Sequence, residues 1–254
     1  MAAETRLFLC LTDNYGVLLH DTETGATAAI DAPEAAPVEK ALQQTGWKLT
    51  DILVTHHHHD HTGGIAALKA KHKCRVVAPA RSKNIPGVDE TVHEGDEVKV
   101  GNLIAKVIET PGHTLDHITY WFPKNHLAFV GDTLFSIGCG RVIEGTPHMM
   151  WQSLKKLRDL PNETLVYCGH EYTAANVKFA LTVDANNPVL EARAVQVRQQ
   201  ISEGEPTIPV SIGDEKLENP FLRADVPDLA VDIGMAGRPP EEVFAEIRGR
   251  KDRF

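Results

Sequence analysis

The chain has 254 residues, 42% of them hydrophobic, which is enough for one large domain or a domain with an appendage and for a real core. Its formal charge of -9 at pH 7 argues against nucleic-acid or anionic-membrane partners, because the average surface repels both. Any anionic ligand must then be met by a local basic patch.

In chain order, "FLCL", "YGVLLHD" and "GATAAIDA" read as short strands, the last two joined at the turn signal "TETG". The N-terminal apolar run, which follows Glu4 and Arg6 and includes "FLCL", has only five residues, too short for a signal segment or a membrane span, which predicts a cytoplasmic protein. A monomer is expected. "PVEKALQQTG" reads as a helix opened by Pro37 and closed by Gly46. "DILVTH" is a buried strand running into "THHHHDHTGG", and "GGIAALKAKHK" behind it reads as a helix. Further strands are predicted at "RVVAP", "LIAKVIETP", "HITYWFP", "HLAFVGD" and "TLVYCGH", with a helix at "HMMWQSLKKLRDL". After His170, "EYTAANVKFALTV" and "NPVLEARAVQVRQQISEG" have helical periodicity and strand patterns largely stop. The pattern predicts an α+β protein with a boundary near residue 170. The four cysteines (Cys10, Cys74, Cys139, Cys168) lack CxxC spacing and read as reduced thiols.

The histidine cluster is the strongest chemical signal. In an extended chain side chains alternate faces, so His56, His58 and Asp60 share one side while His57 and His59 point away as spacers. His61 begins the following turn and can return to the side of Asp60. A histidine-dense surface loop is the bland alternative, but three further positions argue against it. His113 lies on a Pro-Gly turn after a strand, and Asp132 and His170 end strands. Five histidines and two aspartates form a nitrogen and oxygen donor set without thiolate, suited to zinc, iron or manganese. His56, His58 and His113 would hold one ion, and Asp60, His61 and His170 a second, with Asp132 bridging them. Such a pair lowers the pKa of a shared water to about 7 and so yields a hydroxide nucleophile at neutral pH. Asp60 and Asp132 would orient it and are the catalytic candidates. The remaining histidines read as surface or packing residues, with His117 nearest to an exception. Cys139 has no histidine base beside it in sequence and is discounted as a nucleophile.

"THHHHDHTGG", "TPGHT", "GDTLFSIGCGR", "EGTP", "CGHEYT", "NPFLR" and "RGRKD" together resemble, in order and over nearly the whole chain, the metallo-β-lactamase superfamily and, within it, the glyoxalase II (hydroxyacylglutathione hydrolase) family. The resemblance implies an αββα sandwich over residues 1–170 carrying two metal ions, zinc first among the candidates, and a helical glutathione-binding domain over residues 171–254. It implies hydrolysis of S-2-hydroxyacylglutathione, S-D-lactoylglutathione above all, to glutathione and a 2-hydroxy acid, in methylglyoxal detoxification. Its glutathione contacts fall on Arg141, Tyr172, Asn176, Arg248 and Lys251. Ile143 stands where the family usually has an aromatic residue. Asp116 replaces a usual glycine, and aspartate tolerates the left-handed backbone conformation. The rival readings are a persulfide dioxygenase of the same superfamily with a single iron, and a noncatalytic metal-binding module.

Overall fold

The computed structural model describes residues 2–254. These divide into two compact units, the first running to Glu109 and resuming at Asp116–Gly131, the second made of Thr110–Leu115 and Asp132–Phe254.

The first unit holds two sheets. Strands β1 (Ala3–Cys10), β2 (Asn14–Asp21), β3 (Thr27–Ile30), β4 (Asp51–Leu53), β5 (Arg75–Pro79) and β6 (Glu90–Val92) form one sheet in chain order. Pairing is antiparallel as far as β3 and parallel beyond it. Strands β7 (Glu97–Val100), β8 (Leu103–Glu109), β9 (Ile118–Phe122) and β10 (Leu127–Gly131) form an antiparallel series. The inner strands β3, β4 and β5 are buried almost throughout and largely apolar because both faces are covered. On one side Leu18, Ala29, Ile52 and Val76 pack with Val38 and Leu42 of α1 (Ala35–Thr45) and with Ile65 and Leu68 of α3 (Ile65–His72). From the second sheet the fully buried Tyr120 donates its hydroxyl to the Val54 carbonyl at 3.0 Å.

Helix α1 starts two residues before Pro37, which still falls in the first turn, where no intrahelical N–H is needed. Its end is as expected: Gly46 has φ 73° and donates to the Leu42 carbonyl. The short helix α2 (His59–Thr62) was not foreseen, because the strand "DILVTH" was expected to run into the histidines. It stops at Leu53, and at Thr55 the backbone N–H turns to the Asp31 carboxylate at 2.7 Å. A side chain there replaces a strand as partner, and the chain leaves the sheet. Gly64 lets α3 begin against the preceding loop, since a Cβ would sit 2.6 Å from the Ala35 nitrogen.

The second unit begins with the hairpin β11 (Leu134–Phe135) and β12 (Gly138–Cys139). Strand β13 (Leu165–Cys168) pairs with β14 (Val210–Ser211), an exception to the expected end of strands after His170. The helices are α4 (Pro147–Arg158), α5 (Thr173–Val183), α6 (Pro188–Glu203), α7 (Ile212–Glu218), α8 (Pro227–Asp232) and α9 (Pro240–Asp252). Thr146 and Asn187 cap α4 and α6, each followed by proline at the first helical position. Ile137, Val177, Ala180, Leu190, Ala194 and Val197 form one core, and an aromatic series Trp151–Phe244–Phe221–Phe179 joins α4, α9 and α5. The expected α+β class, with helices dominating the C-terminal part, is what the structure has. Among the described residues no helix is long and apolar enough to cross a membrane.

Candidate metal centre

Four of the seven expected ligands lie in the first unit. His56 and His58 face each other, Nε2 to Nδ1, at 3.2 Å. Helix α2 carries Asp60 and His61, with His61 Nε2 3.6 Å from Asp60 Oδ2. Strict alternation therefore fails beyond His58, because His59, Asp60 and His61 are helical. Burial does not follow the expected sorting either: His56 and His61 are buried, His57, His58 and Asp60 are half-buried, and His59 is exposed. His57 is not an idle spacer. Its Nδ1 lies 3.0 Å from Asp116 Oδ1, and Ser82 donates to the other oxygen of Asp116. Asp116 is not among the residues with left-handed backbone, so its carboxylate, not conformational tolerance, accounts for it here.

Behind these ligands stands a carboxylate the sequence reading missed. Buried Asp31 accepts from the Thr55 N–H, from the Thr55 hydroxyl at 2.9 Å and from His61 Nδ1 at 2.8 Å. With its proton donated to Asp31, the Thr55 oxygen is left to accept from His56 Nδ1 at 3.0 Å. Both histidines are thereby held in the tautomer that leaves Nε2 as a lone pair. Asn14 secures Asp60, its amide donating to the backbone carbonyl at 3.0 Å and to Oδ2 at 3.2 Å. His117 is buried and stacks on His56 at 4.8 Å, which makes it a wall of the cluster. The signal for Asp31 was a lone acid at the end of an apolar strand in "AAIDA", too common a pattern to single out.

The second unit holds the other three. His113 donates Nδ1–H to the Arg141 carbonyl at 2.9 Å, so its Nε2 also carries the lone pair. Asp132 Oδ2 lies 3.4 Å from His113 Nε2 and 3.3 Å from His170 Nε2. One carboxylate oxygen thus stands between one histidine of each expected triad, as a bridge requires. Gly140 permits this, since a Cβ there would run into the Asp132 carbonyl oxygen. The His113 loop is tied to the chain after Arg141, with Glu144 N–H donating to the His113 carbonyl at 3.2 Å and Leu115 N–H to the Glu144 carboxylate at 2.8 Å. His170 stacks face to face on Tyr172 at 4.7 Å.

The donor chemistry in both units fits a divalent cation. Imidazole lone pairs are fixed from behind by carboxylate, hydroxyl or carbonyl partners and aimed at carboxylate oxygens, as metal-ligating histidines are held. The residues expected to hold glutathione are less uniform. Arg141 is exposed and Tyr172 is 37% exposed, but Asn176 is buried and spends its amide on the Ser136 carbonyl at 3.0 Å. Arg248 is buried too, donating to the Cys139 carbonyl at 2.9 Å, pairing with Asp252 and lying over the Phe221 ring. Lys251 donates to the Ala175 carbonyl, and burial together with the Arg248 charge lowers its pKa to about 8. Ile143 is exposed. All four cysteines are free and buried, and burial raises the Cys139 thiol to about 11, which disfavours it as a nucleophile.

Comparison with known proteins gives this geometry its class. Residues 12–170 match the metallo-beta-lactamase superfamily, and residues 171–254 match the hydroxyacylglutathione hydrolase C-terminus. A hydroxyacylglutathione hydrolase of Rhodopseudomonas palustris strain HaA2 is 63% identical over 99% of each chain, and that of strain BisB5 is 61% identical over 99% of each. Among solved structures, ETHE1 from Myxococcus xanthus is 28% identical with a TM-score of 0.70, covering 97% of this chain and 90% of its own. The chain belongs to the hydroxyacylglutathione hydrolase (glyoxalase II) family of the metallo-beta-lactamase superfamily. Its activity is that of a metal-dependent hydrolase, and its fold is the superfamily domain followed by the family's helical C-terminal part.

Proposed function

We propose that this chain hydrolyses S-D-lactoylglutathione to glutathione and D-lactate with two metal ions, zinc in preference to iron or manganese. Thioester hydrolysis of hydroxyacylglutathione is the activity of the family to which the chain belongs. The observation that carries the two-ion reading is the single Asp132 oxygen poised between the Nε2 atoms of His113 and His170. His56, His58 and His113 would hold one ion, Asp60, His61 and His170 the other, and Asp132 both. Bound there, the ions would supply the Lewis acidity that lowers the pKa of a water to about 7.

This chain's own residues do the rest. Asp31 and the Arg141 carbonyl keep protons on the Nδ1 atoms of His61 and His113, and Asn14 fixes the Asp60 carboxylate. Asp60 and Asp132 orient the attacking oxygen. Attack on the thioester carbonyl forms the new C–O bond, collapse of the adduct breaks the C–S bond, and a thiol of ordinary pKa, about 8.5, leaves as thiolate without a dedicated acid. Arg141, Tyr172 and Lys251 would meet the glutathione portion, while Asn176 and Arg248 act on it through the backbone they hold. The reading treats residues 1–170 as the catalytic part and 171–254 as the glutathione-binding part, the division at which the two family profiles meet. A cytoplasmic monomer in methylglyoxal detoxification, with no nucleic-acid or membrane partner, completes it.

Metal analysis paired with S-D-lactoylglutathione hydrolysis tests the proposal. Two ions per chain and turnover are expected. One ion per chain under metal-replete conditions, or oxygen uptake without thioester cleavage, would overturn it and favour the dioxygenase reading.

A further inference from the structure

The hairpin that follows Asp132 is held by side chains from distant parts of the second unit. Leu134 pairs with Cys139 and Phe135 with Gly138, leaving Ser136 and Ile137 as the turn. Ile137 has φ 56°, a left-handed conformation that a β-branched residue adopts only under outside constraint. Its backbone N–H donates to both carboxyl oxygens of Glu215 on α7, each at 3.1 Å. Asn219, at the end of α7, donates to the Gly138 carbonyl at 3.0 Å, the Phe135 carbonyl at 3.3 Å and Glu215 Oε2 at 2.7 Å. Its own oxygen accepts from Phe221 N–H, which fixes the direction of the amide. Glu215 and Asn219 are both fully buried. An unpaired buried group is costly, and here the carbonyls and the N–H of the turn are met by side chains about 80 residues away.

The hairpin in turn braces two residues of the site. Phe135 sets its ring edge-on to His170 at 6.0 Å and to Tyr172 at 5.3 Å, the two rings that stack on each other. We propose that Glu215 and Asn219 are positioning residues for the hydrolytic site, holding the hairpin so that Phe135 fixes the His170–Tyr172 stack. This rests on the reading that His170 ligates metal and Tyr172 meets the glutathione portion. Asn219 opens the "NPFLR" stretch, to which the sequence assigned no role, and Glu215 carried no signal there.

The test is a double-mutant cycle between Asn219→Ala and Phe135→Ala. Steady-state hydrolysis of S-D-lactoylglutathione is measured per bound metal, and the rate of metal loss to a chelator beside it. Asn219→Ala is expected to lower kcat about 10- to 100-fold and to speed metal loss, since small displacements of catalytic groups cost about that much. In the Phe135→Ala background it should change either rate by no more than about twofold, because the effect passes through Phe135. Ser211→Ala is the control. It removes the cap of the same helix, whose hydroxyl accepts from Asp214 N–H at 3.0 Å, and should lower the melting temperature while leaving kcat within about twofold. Where Asn219→Ala does not fold, Glu215→Gln enters the same cycle, keeping an oxygen for Ile137 but setting an NH2 group against the Asn219 amide. Additive effects of the two sites, or a loss of stability without loss of kcat, would overturn the proposal. Wild-type protein that binds metal without hydrolysing the thioester would instead refute the substrate reading, and the metal-loss cycle would still decide the clamp.

Discussion

Replacing Asp31 by asparagine isolates the work of a carboxylate that touches no expected substrate. Asp31 Oδ2 accepts from both the Thr55 hydroxyl and His61 Nδ1, while Oδ1 accepts from the Thr55 N–H. Every partner is a donor, and an amide offers one acceptor atom where two are used. If the amide NH2 faces His61, that ring must accept at Nδ1 and carry its proton on Nε2, where the metal lone pair belongs. If it is flipped, NH2 meets the Thr55 N–H, and the strand end loses its partner. One hydrogen bond to a charged group is lost in either case, about 1.5 to 3 kcal/mol. At 1.4 kcal/mol per tenfold this is roughly a 10- to 100-fold weaker metal affinity, the range expected for outer partners of metal ligands. Competition with a chromophoric chelator reads it directly, and kcat/KM at saturating metal shows whether turnover recovers. Asp31→Asn protein that binds metal within about twofold of wild type would refute the tautomer argument.

Asp132→Ala should release at least one ion per chain, read by metal analysis, and lower kcat more than about 100-fold. His57→Ala should keep both ions, and its cost should appear as a small loss of stability from the broken contact with Asp116. Arg248→Ala should lower the midpoint of thermal unfolding by about 5 °C or more, because the guanidinium holds the Cys139 carbonyl and covers Phe221. An Arg248→Ala variant with raised KM and unchanged stability would show that the arginine serves the ligand and not the fold. The pH dependence of KM tests Lys251. Its ammonium loses its proton as pH rises through about 8, so a contact with a glutathione carboxylate is present below that pH and fades above it. KM should therefore rise between about pH 7 and 9 in wild type and stay flat in Lys251→Met, both measured against a thioester lacking those carboxylates.

Long apolar or strongly periodic segments were legible in the sequence because a single property decided them. Strands β2, β8, β9 and β10 and helices α4, α5 and α6 fall where periodicity placed them. The strands that escaped are short and owe their state to tertiary pairing. In β7 only Val98 and Val100 are buried, between charged neighbours. Strand β14 lies in a proline-bearing stretch and exists through its pairing with Leu165 and Val166. Helix α2 was hidden because local alternation suggested an extended chain. The Asp31 bonds that divert the backbone at Thr55 are long-range.

Residue chemistry made the candidate ligands legible, since clustered imidazoles are rare and few alternatives explain them. The residues that hold those ligands were not, because asparagine, threonine and aspartate are common and their partners lie far along the chain. The residues expected to contact glutathione show a third case, in which residue type and motif suggest one role and burial adds another. Asn176 and Arg248 have the polarity to bind a peptide carboxylate, yet both reach the backbone of the Leu134–Cys139 hairpin, at Ser136 and Cys139. With Glu215 and Asn219 included, four buried polar side chains converge on six residues of backbone. A surface that merely bound glutathione would not need such support. A hairpin that must keep Phe135 against His170 and Tyr172 through each catalytic cycle would need it. The proposed roles couple substrate affinity to site geometry through this hairpin, and variants at Asn176 or Arg248 should change kcat as well as KM.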